Sequence, residues 1–366
     1  MNPRVDNITE SGDILTFTLS GINLSLANAV RRVILSDIKQ VVFKTYNNEE
    51  NKANIQTNTT RFNNEILKQR LGCIPIHIRD LEIPLKNYLL EVDVENLTDT
   101  IMYVTTQDFK IKNVSTDTYL KEKDVREIFP ANMQTGSFID FVRLRPKISD
   151  EILGEKIQFS CEFSIGTAKE NGMFNAASTC SYGNTLDDVK MNVELGKKKQ
   201  QWKDQGLSKD EIEFEVDNWK LLDGKRITLK DSFDFTVQTV GIFTNQELLQ
   251  KACDILINGL AAFDVLIETD DLKINASGNT MNNCYDIILE NEDYTFGKIL
   301  EYMMYNKFFE QGILTYCGFK KMHPHDSDSI IRVAYKDDAD KTIIKGHLKS
   351  CIEDAVHIFK KIKKQV

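Results

Sequence analysis

Ser25-Leu-Ala-Asn-Ala-Val-Arg-Arg-Val-Ile-Leu-Ser-Asp37 and Thr295-Phe-Gly-Lys-Ile-Leu-Glu-Tyr-Met-Met-Tyr305 register residue for residue. Aligning Ser25 with Thr295 sets Leu26 against Phe296, Ala27 against Gly297, Ala29 against Ile299, Val30 against Leu300, Val33 against Met303 and Ile34 against Met304. Apolar residues recur at helical spacing in both stretches, so each carries the single stripe of an amphipathic helix, and such a stripe needs a partner to cover it. A short alternating strand precedes each helix, Asp13 to Leu19 and Tyr285 to Leu289, and the spacing predicts Ser25 and Thr295 as the helix N-caps.

Working outward, each copy is followed by a second strand and a longer helix. Phe233 to Val237 leads to Gln246 to Ile267, and Ile330 to Tyr335 leads to Thr342 to Ile362. The same order occurring twice is the mark of an internal repeat. The expected fold class is α+β, with two half-domains joined face to face as an intramolecular pseudo-dimer. Its seam would be made by Leu26, Val30, Val33 and Ile34 from one half and by Phe296, Ile299, Leu300, Met303 and Met304 from the other.

The copies differ in the connection between their two strand and helix pairs. In the second it is short, Asn306 to Ser329, whereas in the first it runs from Val41 to Arg226, enough chain for a domain. Alternating runs such as Tyr88 to Val94, Ile101 to Thr105, Phe138 to Leu144 and Ile157 to Phe163 predict a mainly β insertion subdomain. Near its end, Lys197 onward reads as a solvated helix, and Ser208 with Glu211 has the spacing of a capping box. The predicted organisation is 1–44 with 227–269 as the first half, 45–226 as the insertion, 270–283 as a polar linker and 284–366 as the second half.

Composition bounds the chemistry. At 366 residues and 41% hydrophobic, the chain can fill two or three compact units. No apolar run approaches the ~18 to 20 residues of a membrane span, and the opening residues lack a signal pattern, so an intracellular protein without membrane contact is expected. A net charge of −9 argues against a surface that tracks a polyphosphate backbone. Lys360, Lys361, Lys363 and Lys364 read as complementing the dipole of the last helix.

Seven scattered cysteines read as reduced, buried, small apolar groups, and no two stand closer than 19 positions, which excludes closely paired zinc ligands. Cys73 and His77 share an extended segment unsuited to a reactive pair, and His323 and His325 flank Pro324 in a turn. There is no clustered Asp-x-Asp-x-Asp, phosphate loop or dinucleotide fingerprint. No catalytic residue, metal site or cofactor is expected.

Asn28-Ala-Val-Arg-Arg-Val-Ile-Leu-Ser36 resembles the first-helix signature of the alpha-type subunits of cellular RNA polymerases, and Glu65-Ile-Leu-Lys-Gln-Arg-Leu-Gly-Cys-Ile-Pro-Ile76 resembles the segment that follows it in archaeal and nuclear members. Phe233 to Gly241 with Glu247 is similar to the family's return strand and helix. Leu289 to Leu300, Gly318-Phe319 and His323-Pro-His325 are similar to archaeal subunit L and the eleventh subunit of nuclear polymerase II. A fusion of the two partners resembles the single-chain version carried by large DNA viruses of eukaryotes, which would place the chain in the virion and host cytoplasm, with the nucleus as the alternative.

The resemblance implies a non-catalytic platform that docks the second-largest and largest polymerase subunits, and small assembly subunits, and that meets DNA only through the complex. It assigns docking to Asn28, Arg31, Arg32, Gln69, Arg70, Leu71, Gly72 and Pro75. The sequence departs from the family by lacking a cysteine cluster in the insertion. Lys169 to Ala176 matches the family's Lys-Glu-His-Ala-Lys-Trp-like motif only loosely, and Leu186 to Leu222 has no placed counterpart. A free-standing interaction scaffold of the same fold is the alternative function.

Overall fold

The structure, a computed structural model, describes every residue except 48, 150, 279 and 280. In chain order it runs through β1 (Arg4–Ser11), β2 (Ile14–Ser20), α1 (Leu24–Ser36), β3 (Gln40–Val42), β4 (Ala53–Asn58), α2 (Asn64–Gly72), β5 (Tyr88–Glu95), β6 (Met102–Thr105), β7 (Lys110–Asn113), β8 (Thr118–Tyr119), α3 (Glu122–Ile128), β9 (Asp140–Leu144), β10 (Lys156–Glu162) and β11 (Ser164–Gly166). It continues with β12 (Ala177–Leu186), α4 (Asp188–Asp204), α5 (Lys209–Leu221), β13 (Thr228–Thr239), α6 (Asn245–Glu268), β14 (Ile274–Ala276), β15 (Cys284–Leu289), α7 (Tyr294–Met304), β16 (Leu314–Lys320), β17 (Ser329–Tyr335) and α8 (Lys341–Lys363). Two compact units result. The first holds Met1–Ile34, Thr179–Gln238 and Leu249–Val366, and the second holds Leu35–Ser178 and Thr239–Leu248.

The first unit contains two four-stranded sheets, ordered β1-β2-β13-β12 and β14-β15-β17-β16. In the first sheet Phe17 faces Phe235 across the β2–β13 pair, and the two rings stack at 5.1 Å. The buried stripe of α1 is Leu26, Ala27, Ala29, Val30, Val33 and Ile34, and that of α7 is Thr295, Gly297, Ile299, Leu300, Met303 and Met304. Both stripes follow the aligned positions, except that Phe296 is half-buried. Along α8 the buried face is Ile344, Leu348, Cys351, Ile352, Ala355, Ile358, Phe359 and Ile362, with Val356 half-buried.

The caps lie two residues before the predicted ones. Asn23 Oδ1 accepts the Ser25 N–H at 2.8 Å, and Asp293 Oδ1 accepts the Thr295 N–H at 2.8 Å. Ser25 and Thr295 therefore stand inside the first turn. A side-chain oxygen on a short Asn or Asp reaches an orphan N–H two residues on, which satisfies the same need that a Ser or Thr cap would. The shift is the same in both copies, so Asn23 and Asp293 occupy aligned positions.

Several strands have no counterpart among the runs read from the sequence, β1, β14 and β16 among them. β1 pairs with β2 around a bulge between Asp6 and Thr9, yet almost all of its residues are exposed. β16 falls within the connection 306–329 and pairs with β17, and β14 falls within the expected linker and pairs with β15. The linker's residues 279 and 280 lie outside the described residues. The hairpin of α4 and α5 belongs to the first unit, with Leu195, Val216 and Trp219 as its own small core. Its second helix opens on the expected capping box of Ser208 and Glu211.

The second unit is mainly β. A five-stranded sheet, ordered β4-β10-β5-β7-β8, and the pairs β11-β3 and β6-β9 surround a core rich in phenylalanine. Phe109 sits at its centre, with the rings of Phe129, Phe141 and Phe159 at 5.3, 6.0 and 6.2 Å in edge-to-face contact. Such pairs add about 0.5–1.5 kcal/mol each beyond their area burial. Of the seven cysteines, Cys161, Cys180, Cys253, Cys284 and Cys351 are buried as expected and Cys317 is half-buried. Cys73 is exposed, because it closes the C-terminal end of α2 where the backbone turns at the surface.

Candidate functional site

Within the first unit, the elements of the two repeats meet through specific side chains. Arg32 on α1 donates from Nε to Thr295 Oγ1 at 2.9 Å and from Nη2 to Asp293 Oδ2 at 2.6 Å. Asp293 thus caps α7 with one oxygen and pairs with α1 through the other. On α6, Gly259 leaves the space that the Phe296 ring fills, since a methyl there would stand 2.2 Å from Cζ. Phe263, one turn further along α6, packs beside that ring with centroids 6.0 Å apart. Lys349 on α8 reaches Glu268 at 2.5 Å, and Lys363 reaches Asp254 at 2.7 Å, so α6 and α8 are paired at two levels.

Sequence reasoning assigned Leu26, Val30, Val33, Ile34, Phe296, Ile299, Leu300, Met303 and Met304 to a seam between the halves; Phe296 is half-buried and the other eight are buried. It missed Gly259 and Asp293. The signal for the first is an isolated glycine within an apolar helical pattern, a position that weakens the helix unless close packing needs it. The signal for the second is an Asx residue at the position aligned with Asn23.

Arg31 donates from Nε to Asn28 Oδ1 at 2.9 Å, one turn back on α1, and both residues are half-buried. The Arg31 charge opposes the effect of burial on Cys180, whose thiol is nevertheless pushed up to about 12. Arg32 is one-third exposed, at 34%. These three residues belong to the first unit; Gln69, Arg70, Leu71, Gly72 and Pro75 belong to the second.

In the second unit, Asn63 caps α2 by accepting the Ile66 N–H at 2.9 Å, and the helix carries Gln69 and Arg70 to its exposed side. Arg70 donates to the carbonyls of Phe141 and Asp140, both at 2.7 Å, and so ties α2 to β9. Leu71 and Gly72 turn inward. A methyl on Gly72 would stand 2.6 Å from Met173 Sδ and 3.0 Å from Thr45 Oγ1, so only glycine allows this approach. Pro75 is half-buried.

Beyond Pro75, Arg79 donates to the Ile242 carbonyl at 2.9 Å and pairs with Glu247 at 3.3 Å, holding the start of α6. Glu247 also accepts the Thr244 N–H at 2.7 Å, and Thr244 Oγ1 accepts the Glu247 N–H at 3.2 Å, the reciprocal pattern of a capping box. The Arg79 contact was not foreseen; its sole signal is a basic residue after the Ile-Pro-Ile-His segment.

Burial pushes the thiols of Cys161, Cys253, Cys317 and Cys351 up, leaving them protonated and unreactive at neutral pH. His77 faces the Ile128 carbonyl at 3.3 Å, and burial lowers its pKa. Among the described residues no group of three or more His, Cys, Asp and Glu is arranged to hold a metal, and no helix is long and apolar enough to cross a membrane.

Residues 16–260 match the RNA polymerase Rpb3/Rpb11 dimerisation domain. The chain is 27% identical over 197 residues to the DNA-directed RNA polymerases I and III subunit rpac1 of Dictyostelium discoideum, covering 50% of this chain and 52% of that one. It is 26% identical over 195 residues to the human RPAC1 subunit, covering 50% and 54%. With the RNA polymerase subunit Rpo3 of Thermoplasma volcanium it shares 25% identity over 279 residues, which is 71% of this chain and 96% of that one. The chain therefore spans about half the length of the first two relatives and nearly all of the third. The matched region includes α1, α2, the β-rich unit and most of α6, and on that ground the chain belongs to the Rpb3/Rpb11 dimerisation-domain family of RNA polymerase subunits.

Proposed function

We propose that this chain is a non-catalytic assembly subunit of a multisubunit DNA-directed RNA polymerase and that it carries both halves of the assembly platform in one polypeptide. The half-domains are 1–44 with 227–269, interrupted by the insertion 45–226, and 284–366, which follows the linker 270–283. The observation that carries the reading is the repeated strand and helix unit, aligned to its Asx caps, in a chain of this family. The contacts of Arg32 with Asp293 and Thr295 and of Gly259 with Phe296 support the two halves acting as a fused dimer.

In this reading the platform docks the second-largest subunit and then the largest, with small assembly subunits alongside. The surface residues Asn28, Arg31, Gln69, Arg70 and Pro75 make the contacts, while Leu71 and Gly72 shape the segment from beneath. Arg32 holds the seam and offers its exposed edge. A guanidinium beside carboxylates or carbonyls of a partner suits such an interface.

Native purification of the tagged chain, with mass spectrometry and a promoter-independent RNA synthesis assay, tests the proposal. Two large polymerase subunits are expected in stoichiometric amounts, with synthesis in the complex and none from the chain alone. A chain recovered alone, or with other proteins and no RNA synthesis, would overturn it.

A further inference from the structure

The α4–α5 hairpin exposes apolar surface that its own packing does not use. Ile212, Val216 and Trp219 pack inward on α5, against Leu195, Met191 and Trp202 of α4. On the opposite side Phe214 is 70% exposed and Leu221 64%, and Leu222 just beyond the helix is 61% exposed. At about 100° per residue, Asp210, Glu213, Phe214, Asp217 and Leu221 fall within about 100° of arc. The outer face of α5 is therefore an apolar stripe bordered by three exposed carboxylates, with the exposed Lys209 and Lys220 beyond them on one edge. No ion pair among the described residues engages those carboxylates, although neighbouring hairpin residues are paired, Lys197 with Glu194 and Arg226 with Asp223.

Two features of this face are unfavourable for an isolated helix. Glu213 and Asp217 are like charges one turn apart, which repel. Phe214 and Leu221 leave large apolar side chains in water where the inner face already supplies the hairpin's core. Both costs are relieved by the same occupant, an apolar groove rimmed by cations. The spacing of Phe214 and Leu221, seven residues and about 10.5 Å along the axis, is that of anchors on a helix laid in a groove.

We propose that α5 is a docking helix for a protein partner whose binding groove is apolar and bordered by lysine or arginine, with Phe214 and Leu221 as anchors and Asp210, Glu213 and Asp217 as its charged rim. A second copy presenting α5 would set carboxylate against carboxylate, and a nucleic acid would set phosphate against carboxylate; the charge of the face opposes both. The surface is separate from the residues assigned to the large subunits, and it stands or falls independently of that assignment.

The test places a photo-crosslinking amino acid at Asn218, exposed on the same helix one turn from Phe214, in the full chain expressed in its own cells. Mass spectrometry then maps the crosslinked peptide. The expected product is a segment of another protein in which apolar residues lie beside lysines or arginines. The protein bearing that segment, purified, should bind the full chain, and Phe214→Asp with Leu221→Asp should weaken binding by at least about tenfold. Glu213→Lys with Asp217→Lys should weaken it too, with a smaller effect at high salt. Because all four positions are exposed, unchanged circular dichroism and melting are expected in every variant. Crosslinks confined to this chain, to a second copy, to nucleic acid or to an acidic segment would overturn the proposal, as would binding that survives loss of both anchors.

Discussion

Replacing Gly259 with alanine sets two known effects against each other at one contact. In a helix interior, glycine to alanine contributes about 1 kcal/mol of stability. Here the new methyl would stand 2.2 Å from Cζ and 2.6 Å from Cε1 of Phe296, well inside the ~3.5–4.0 Å of an ordinary carbon contact. The ring must retreat by more than about 1 Å, which also disturbs its packing with Phe263, whose centroid is 6.0 Å away. Overpacking of this kind costs about 1–3 kcal/mol, so Gly259→Ala should destabilise by roughly 0–2 kcal/mol net. Phe296→Leu alone removes packing, but in the double variant it also removes the clash and lets the helix gain appear. A double-mutant cycle in urea should therefore give a favourable coupling of about 1–3 kcal/mol. Additive effects, or a stabilised single Gly259→Ala variant, would refute the close approach of α6 and α7.

Arg32→Ala and Asp293→Asn should couple by about 0.2–1 kcal/mol in the same kind of cycle, since both side chains are about a third exposed, and the coupling should shrink in high salt; zero coupling at low salt would argue against the pair. Arg31→Glu should leave the melting temperature unchanged while lowering recovery of the large subunits on the tagged chain, and full recovery would remove Arg31 from docking. Val33→Asp with Met303→Asp introduces carboxylates at positions 1% and 4% exposed, so loss of the cooperative unfolding transition is expected, and normal stability would refute the buried seam. In native protein at pH 8 a thiol reagent should label Cys73 first. Cys180, Cys253, Cys317 and Cys351, pushed up to about 12, carry almost no thiolate there and should react only on unfolding.

The helices were legible because their stripes are wide and periodic. Val33 and Met303, Ile34 and Met304, and the faces of α6 and α8 could be read from spacing alone, since burying an apolar side chain is worth more than any competing local preference. β1 was not legible for the opposite reason. Arg4 to Ser11 is almost entirely exposed, so backbone pairing with β2 holds it and its side chains carry no alternation. β14 is similar, with Ile274 its sole buried residue. The caps were misplaced by two residues because Asn, Asp, Ser and Thr satisfy the same orphan N–H groups, and only the position where the strand ends selects among them.

Site residues were legible in type more than in direction. Leu71 and Gly72 belong to a motif assigned to docking, yet they pack against the second unit's own interior, leaving Gln69 and Arg70 exposed and Pro75 half-buried. Arg70 itself spends two donors on the carbonyls of β9, so it both fixes the scaffold and remains at the surface. Pairwise geometry of this kind depends on which segments the fold brings together, and spacing within one segment does not encode it.

Arg31 and Arg32 show how adjacent identical residues can be given different work by a helix. The α-helical turn sets them about 100° apart. Arg32 lands beside the cap of α7 and spends its donors there, so its removal should first be felt as a loss of stability. Arg31 lands beside Asn28, a local neutral partner that orients the guanidinium without neutralising its charge. A charge held in place but left uncompensated is what a polar interface needs before its partner arrives, and a charge already paired is what a seam needs after folding. On the proposed reading the two arginines separate assembly from folding, and substituting each in turn tests those roles in a way that removing both together would not.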